Sequence, residues 1–179
     1  TQPEQRATRF YHQDEISHPY YYSVKLPDEH LRIALTGSSH SAFFRITSSY
    51  DSLVHIIINP NSDAGEGYVK IDTKNHLVYG YNPVHRIYQG WGEKAGFCGH
   101  FLLHYDQSPI AVGTFCRNVV NRGDTVISGK PRIGVYLTFR ISAGIPLILK
   151  AASSFTGYNG AKKNLMKEAS GIDFEKAAA

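Results

Sequence analysis

The chain has one tryptophan, one methionine and two cysteines in 179 residues. So little cysteine excludes a multi-bridge disulfide scaffold. Cys98 and Cys116, far apart and outside any C-x-x-C, neither demand nor forbid a single bridge, and zinc-finger spacing is missing. No apolar run reaches the ~18 residues of a membrane-crossing helix, so no membrane span is expected. Before residue 158 no long stretch repeats apolar residues at helical steps, which argues against the alternating strands and helices of a parallel sheet. Strong charge of one sign is lacking too. The formal net charge is +4, and only Lys162, Lys163 and Lys167 cluster, whereas a nucleic-acid footprint is a stripe along one face. No nucleic-acid partner is expected. The start, TQPEQRATRF, has neither an initiator methionine nor a basic-then-apolar leader, and reads as part of a longer polypeptide.

What is present points to strands. Hydrophobic residues make up 42% and charged residues 19%, a balance that folds rather than stays disordered, and 12 tyrosines and 9 phenylalanines favour extended structure. From Tyr20 onward short apolar runs recur (LRIALTG, SAFFRI, LVHIIIN, GYVKID, HLVYGY, GHFLLHY, IAVGTFCR, GVYLTFRI, PLILKAASSF), divided by turn-forming LPDEH, NPNSDAGEG, DTKN and NRGD. Side chains flip at every residue of a strand, so Val135, Leu137, Phe139 and Ile141 are expected to face a core while Tyr136, Thr138 and Arg140 face out. In GHFLLHY, Phe101, Leu103 and Tyr105 point one way, and His100, Leu102 and His104 the other, towards solvent. The spacing predicts one antiparallel β-sandwich over residues 1–157.

At Tyr158 the pattern changes. Asn159 can cap a helix, Ala161, Leu165 and Ala169 fall on one face at helical spacing, Gly171 suits the stop, and Asp173 opens a second helix. Residues 158–179 are expected to be a helical linker with little of its own to bury, and helices below ~12–15 residues rarely hold alone in water.

Candidate chemical motifs mostly dissolve on inspection. GYNGAKKN lacks the spacing of a phosphate-binding loop, and GWGEKAG misses the dinucleotide fingerprint and precedes a strand. His100 and His104 would stand about 13 Å apart on a strand, too far to share a metal. The richest segment is YGYNPVHRIYQGWGEKAGF, where His85, Arg86, Tyr88, Gln89 and Trp91 lie among glycines that permit close backbone approach. An aromatic face beside planar polar groups suits a sugar ring. The competing reading makes Trp91 a buried corner of the sandwich.

Several segments together resemble glycoside hydrolase family 92, the exo-acting, calcium-dependent α-mannosidases. YHQDEISHPYYYSVKL, LRIALTGSSHSAFFRIT, NPVHRIYQGWGEKAGFCGHFLLHYD and SSFTGYNGAKKNLMKEASGIDFEKA follow that family's blocks in order. The resemblance implies a galactose-mutarotase-like supersandwich, a helical linker, and an (α/α)-barrel catalytic domain that lies outside residues 1–179, together with the sandwich's first strands. It implies an inverting hydrolysis of mannose-containing glycans by the whole enzyme, calcium in that enzyme with none in this segment, and a periplasmic or secreted location. No catalytic acid, base or metal ligand carries over to a residue here. The expected function is that of a non-catalytic domain that packs on the barrel and helps wall the sugar site through His85, Arg86, Tyr88, Gln89 and Trp91. The rival readings are a free-standing carbohydrate-binding module and a purely structural sandwich.

Overall fold

The computed structural model describes residues 7–60, 62–87 and 91–179, the side chains of Arg86, Ile87 and Trp91 excepted. Strand takes 54% of it and helix 11%. The strands are β1 (Glu15–His18), β2 (Tyr21–Leu26), β3 (Leu31–Gly37), β4 (Ser41–Ser48), β5 (Ser52–Ile58), β6 (Tyr68–Asp72), β7 (Leu77–Ile87), β8 (Trp91–Tyr105), β9 (Ala111–Cys116), β10 (Val119–Arg122), β11 (Val126–Ser128), β12 (Ile133–Ile141) and β13 (Leu147–Ser154). Two helices follow, α1 (Tyr158–Ala169) and α2 (Phe174–Ala177). One sheet runs β1-β2-β3-β4-β13-β8-β7-β6-β11 and the other β10-β9-β12-β5. Every pairing is antiparallel.

Side-chain alternation puts the core between the sheets. Val135, Leu137, Phe139 and Ile141 of β12 are all buried, and they meet Ile46, Val69, Val78 and Leu147 of the larger sheet. Tyr105 closes this core from β8, its ring edge-on to Phe139 at 5.6 Å, and burial pushes its phenol up to about 12.

The closing helices depart from expectation: they have a partner within the chain. Leu102 and Ala152 are paired neighbours on the outward face of the larger sheet, and they are only 1% and 4% exposed because α1 lies over that face. Ala161 and Ala169, the small residues of its inner side, are buried there, and Leu165 packs beside Phe43 and Ala34. A face made of alanines lets a helix approach a sheet closely, so the apolar area it needs comes from the strands. The outward face that holds Leu102 is therefore covered, not bathed in water. Gly157, not Asn159, precedes the first helical residue, and Gly171 at φ 68° ends the helix in the left-handed region that glycine adopts freely.

Polar latches fix the seat. The Lys150 ammonium on β13 donates to the carbonyls of Ala169 and Ile172 at 2.9 and 2.6 Å, satisfying acceptors that a helix end leaves open. Asn164 Nδ2 donates to the Ser153 carbonyl at 2.8 Å. At the β3–β4 turn the Glu168 carboxylate accepts from the Ser38 hydroxyl at 2.6 Å and the His40 N–H at 2.8 Å, and its other oxygen meets His40 Nδ1 at 2.7 Å. The Ser38 hydroxyl first, then the His40 groups, hold this carboxyl down at about 2. A carboxyl whose pKa falls on folding stabilises fully above its unfolded value and loses that effect as pH drops through the folded one. The latch is thus expected to be intact above about pH 5 and to fail towards pH 2. Glu168→Gln should cost about 1–3 kcal/mol at neutral pH and flatten the stability profile in that acid window. Thermal unfolding of both proteins across this range reads it, and parallel profiles would contradict it.

Candidate functional site

The segment with the most chemistry in the sequence forms an arm. Tyr81 of β7 pairs with Tyr68 of β6, and His100 of β8 pairs with Ser154 of β13, but these are the last residues with outer neighbours. Beyond them, among the described residues, Asn82–Ile87 and Trp91–Gly99 pair only with each other. Six residues at ~3.3 Å each give an arm about 20 Å long. The stretch from His85 to Ile87 is strand. Register shifts between Pro83 and His85 and between His85 and Ile87 absorb the irregularity, and Gly92 and Gly96 at φ 83° and 84° supply conformations that bulged strands need. At its root Phe97 meets Phe155 edge-on at 5.4 Å, both rings substantially exposed.

His85, Arg86, Tyr88, Gln89 and Trp91 were the residues assigned to sugar contact. Tyr88 and Gln89 lie outside the described residues. Arg86 is placed by its backbone in β7, and Trp91 by its backbone at the first position of β8, opposite Ile87. Only His85 has a described side chain, and it is 6% exposed. Its Nδ1–H donates across the arm to the Gly92 carbonyl at 3.1 Å, which leaves Nε2 facing the Glu66 carboxylate at 3.9 Å. Lys94 approaches the same oxygen at 3.7 Å. The hydrogen bond of His85 thus lies within the arm, and its other ring nitrogen faces the loop before β6.

Glycoside hydrolysis needs two carboxyls flanking the scissile bond, one of them held high enough to donate a proton near neutrality. The described carboxyls with a displaced pKa go the other way. Glu15 is lowered by the Tyr22 hydroxyl first and then by His12, Asp72 by Asn75, and Glu168 by Ser38. Among the described residues no three His, Cys, Asp or Glu side chains come together to hold a metal ion. A concavity of about 840 Å³ on the smaller sheet, over Ala111, Val112 and Tyr136, is lined chiefly by aliphatic and aromatic groups.

Residues 1–154 match the family model of the glycosyl hydrolase family 92 N-terminal domain. Among solved structures, the family 92 inverting mannosidase BT2199 from Bacteroides thetaiotaomicron VPI-5482 superposes with a TM-score of 0.85 at 24% identity, over 98% of this chain and 23% of that one. The α-mannosidase BT3965 from Bacteroides thetaiotaomicron, in complex with mannoimidazole, gives 0.79 at 22% identity over 96% of this chain and 23% of that one. The family 92 glycosyl hydrolase ccman5 gives 0.76 at 17% identity over 96% and 24%. These likenesses concern the fold, and the chain spans about a quarter of the length of the structures it matches. No curated protein sequence matches it.

Proposed function

Because the chain belongs to glycosyl hydrolase family 92 through its N-terminal domain, we propose that it is the non-catalytic sandwich of an α-mannosidase-type hydrolase, packing on a helical catalytic domain and walling one side of the sugar site. The observation that carries this reading is the projecting β7–β8 arm with the chain's single tryptophan at the start of its return strand. A saccharide site combines an apolar platform with a few aimed polar groups, and the sequence His85, Arg86, Tyr88, Gln89 and Trp91 supplies residue types of both kinds. The acid and base belong to the catalytic domain, where an inverting reaction sets them far enough apart to admit a water molecule. Calcium goes with that domain, and a periplasmic or secreted location is part of the same proposal.

The single tryptophan makes the test direct. Intrinsic fluorescence at tryptophan wavelengths reports Trp91 alone, so titration with mannose and a mannobiose should change its intensity or maximum and saturate. Half a site binds weakly, and the expected dissociation constant is of the order of millimolar. A flat titration into high millimolar sugar would remove Trp91 from the site.

A further inference from the structure

Lys25 of β2 stands directly opposite Arg32 of β3, and Arg32 stands opposite Thr47 of β4. Directly paired residues in an antiparallel ladder hold their Cβ atoms about 4.5–5.5 Å apart, so like charges there destabilise the sheet. Among the described residues neither side chain is in an ion pair. Arg32 spends one Nη1 contact on the Ser23 hydroxyl at 3.3 Å, which leaves most of its fork unused. The nearby acids do not neutralise the pair. Asp28 turns to Arg9 at 3.3 Å, Asp51 accepts from the Ala143 N–H at 3.0 Å, and Glu29 is not among the residues that line the cleft.

That cleft, about 760 Å³, is walled by Lys25, Arg32, His30, Ser48, Ser49 and Tyr50 among others, with no carboxylate. Its far wall is braced. The Ser48 hydroxyl donates to the His30 carbonyl at 3.1 Å, lies 2.9 Å from the Ser52 hydroxyl, and accepts from the Tyr50 N–H at 3.2 Å. The His30 ring sits edge-on to Tyr50 at 5.2 Å. Two cations set side by side, hydroxyl and imidazole donors around them, and no competing acid make a receptor for an anion with several oxygens. We infer that this cleft binds a tetrahedral oxyanion, a phosphate or sulfate group, free or as an ester on a small polar molecule. Arg32 offers a planar fork to two oxygens and Lys25 a mobile point charge. The bound anion would offset the repulsion that the strand register builds in. This assignment does not depend on the hydrolase reading.

The test uses the intact 179-residue chain at fixed ionic strength, titrated with sodium phosphate, sodium sulfate, glucose 6-phosphate and glucose 6-sulfate, and followed by amide NMR. Saturable shifts are expected at residues 25, 30–32 and 47–50, with binding weakened at least tenfold, about 1.4 kcal/mol, in Lys25→Gln and Arg32→Gln. Arg32→Lys should retain part of the affinity, and Arg122→Gln, on the other sheet, all of it. Esters binding more tightly than the inorganic ions identify a carried group, and equal binding identifies the free ion. Both outcomes support the site. No saturable shift up to about 20 mM anion, a range that would detect even weak millimolar binding, overturns it. So does an equal loss in Arg122→Gln, which would show that only general positive charge is at work. Unchanged amide spectra away from the cleft confirm that the variants fold.

Discussion

Phe174→Ala should unseat the C-terminal helices from the larger sheet, at a cost of about 3–5 kcal/mol. Phe174 is 2% exposed and packs with Ala34, Phe43 and Ala169. The Tyr21 ring meets it edge-on at 6.3 Å, and the Arg45 guanidinium lies 4.3 Å above its face while also pairing with Glu175. The four residues of α2 are started by Asp173, whose side chain accepts from the Lys176 N–H at 2.7 Å, but one capped turn cannot stand by itself. Removing the ring takes away the apolar anchor and leaves the latches at Lys150 and Glu168 to hold a helix whose inner side is largely alanine. The melting temperature should fall by roughly 6–20 °C for a domain of this size, and amide exchange should speed up first in residues 158–177. Exchange that rises uniformly through the sandwich, or does not change, would show that the helices are not seated through Phe174.

Gly80→Val is expected to be at least as damaging, at about 3 kcal/mol or more. Gly80 lies in the middle of β7 opposite Val69. A side chain there would strike the Tyr68 carbonyl and come within 2.8 Å of Phe101 Cζ. The ring could swing aside, but the carbonyl belongs to the neighbouring strand, and moving it disturbs the ladder between β6 and β7. The expected result is largely insoluble protein, or a soluble fraction without near-ultraviolet dichroism. A well-folded variant melting within a few degrees of the parent would show that the strands can part here without cost.

Period-two alternation located the buried side of β12 because one face of that strand meets the core and the other does not. The same rule was ambiguous for β8, where Phe101, Leu103 and Tyr105 face the second sheet while Leu102 is buried under α1. Once a helix covers the outer face, both sides of a strand turn apolar, and alternation no longer says which is wet. The helix itself was legible from its spacing and its glycine stop, but its seat was not. Phe43, Ala34, Leu102 and Ala152 come from distant parts of the chain and become one surface only through strand order. The arm was hidden for a local reason: Pro83, Gly90, Gly92 and Gly96 are loop signals, and only cross-strand register reveals that the two sides stay paired through bulges. Nonlocality also hid the Lys25–Arg32 pair, unremarkable in sequence and consequential only when β2 and β3 align. His85 stands out in the sequence as chemically loaded, and its described contacts are to Gly92 and Glu66.

The most direct test is an activity assay on the purified chain, with p-nitrophenyl α-mannoside and α-linked mannobioses, with and without added calcium. A non-catalytic sandwich should release no mannose above buffer under any of these conditions, while remaining folded and able to shift Trp91 fluorescence with sugar. Sustained, enzyme-proportional release of mannose that survives repurification would contradict it, because the acid and base would then have to lie within these 179 residues.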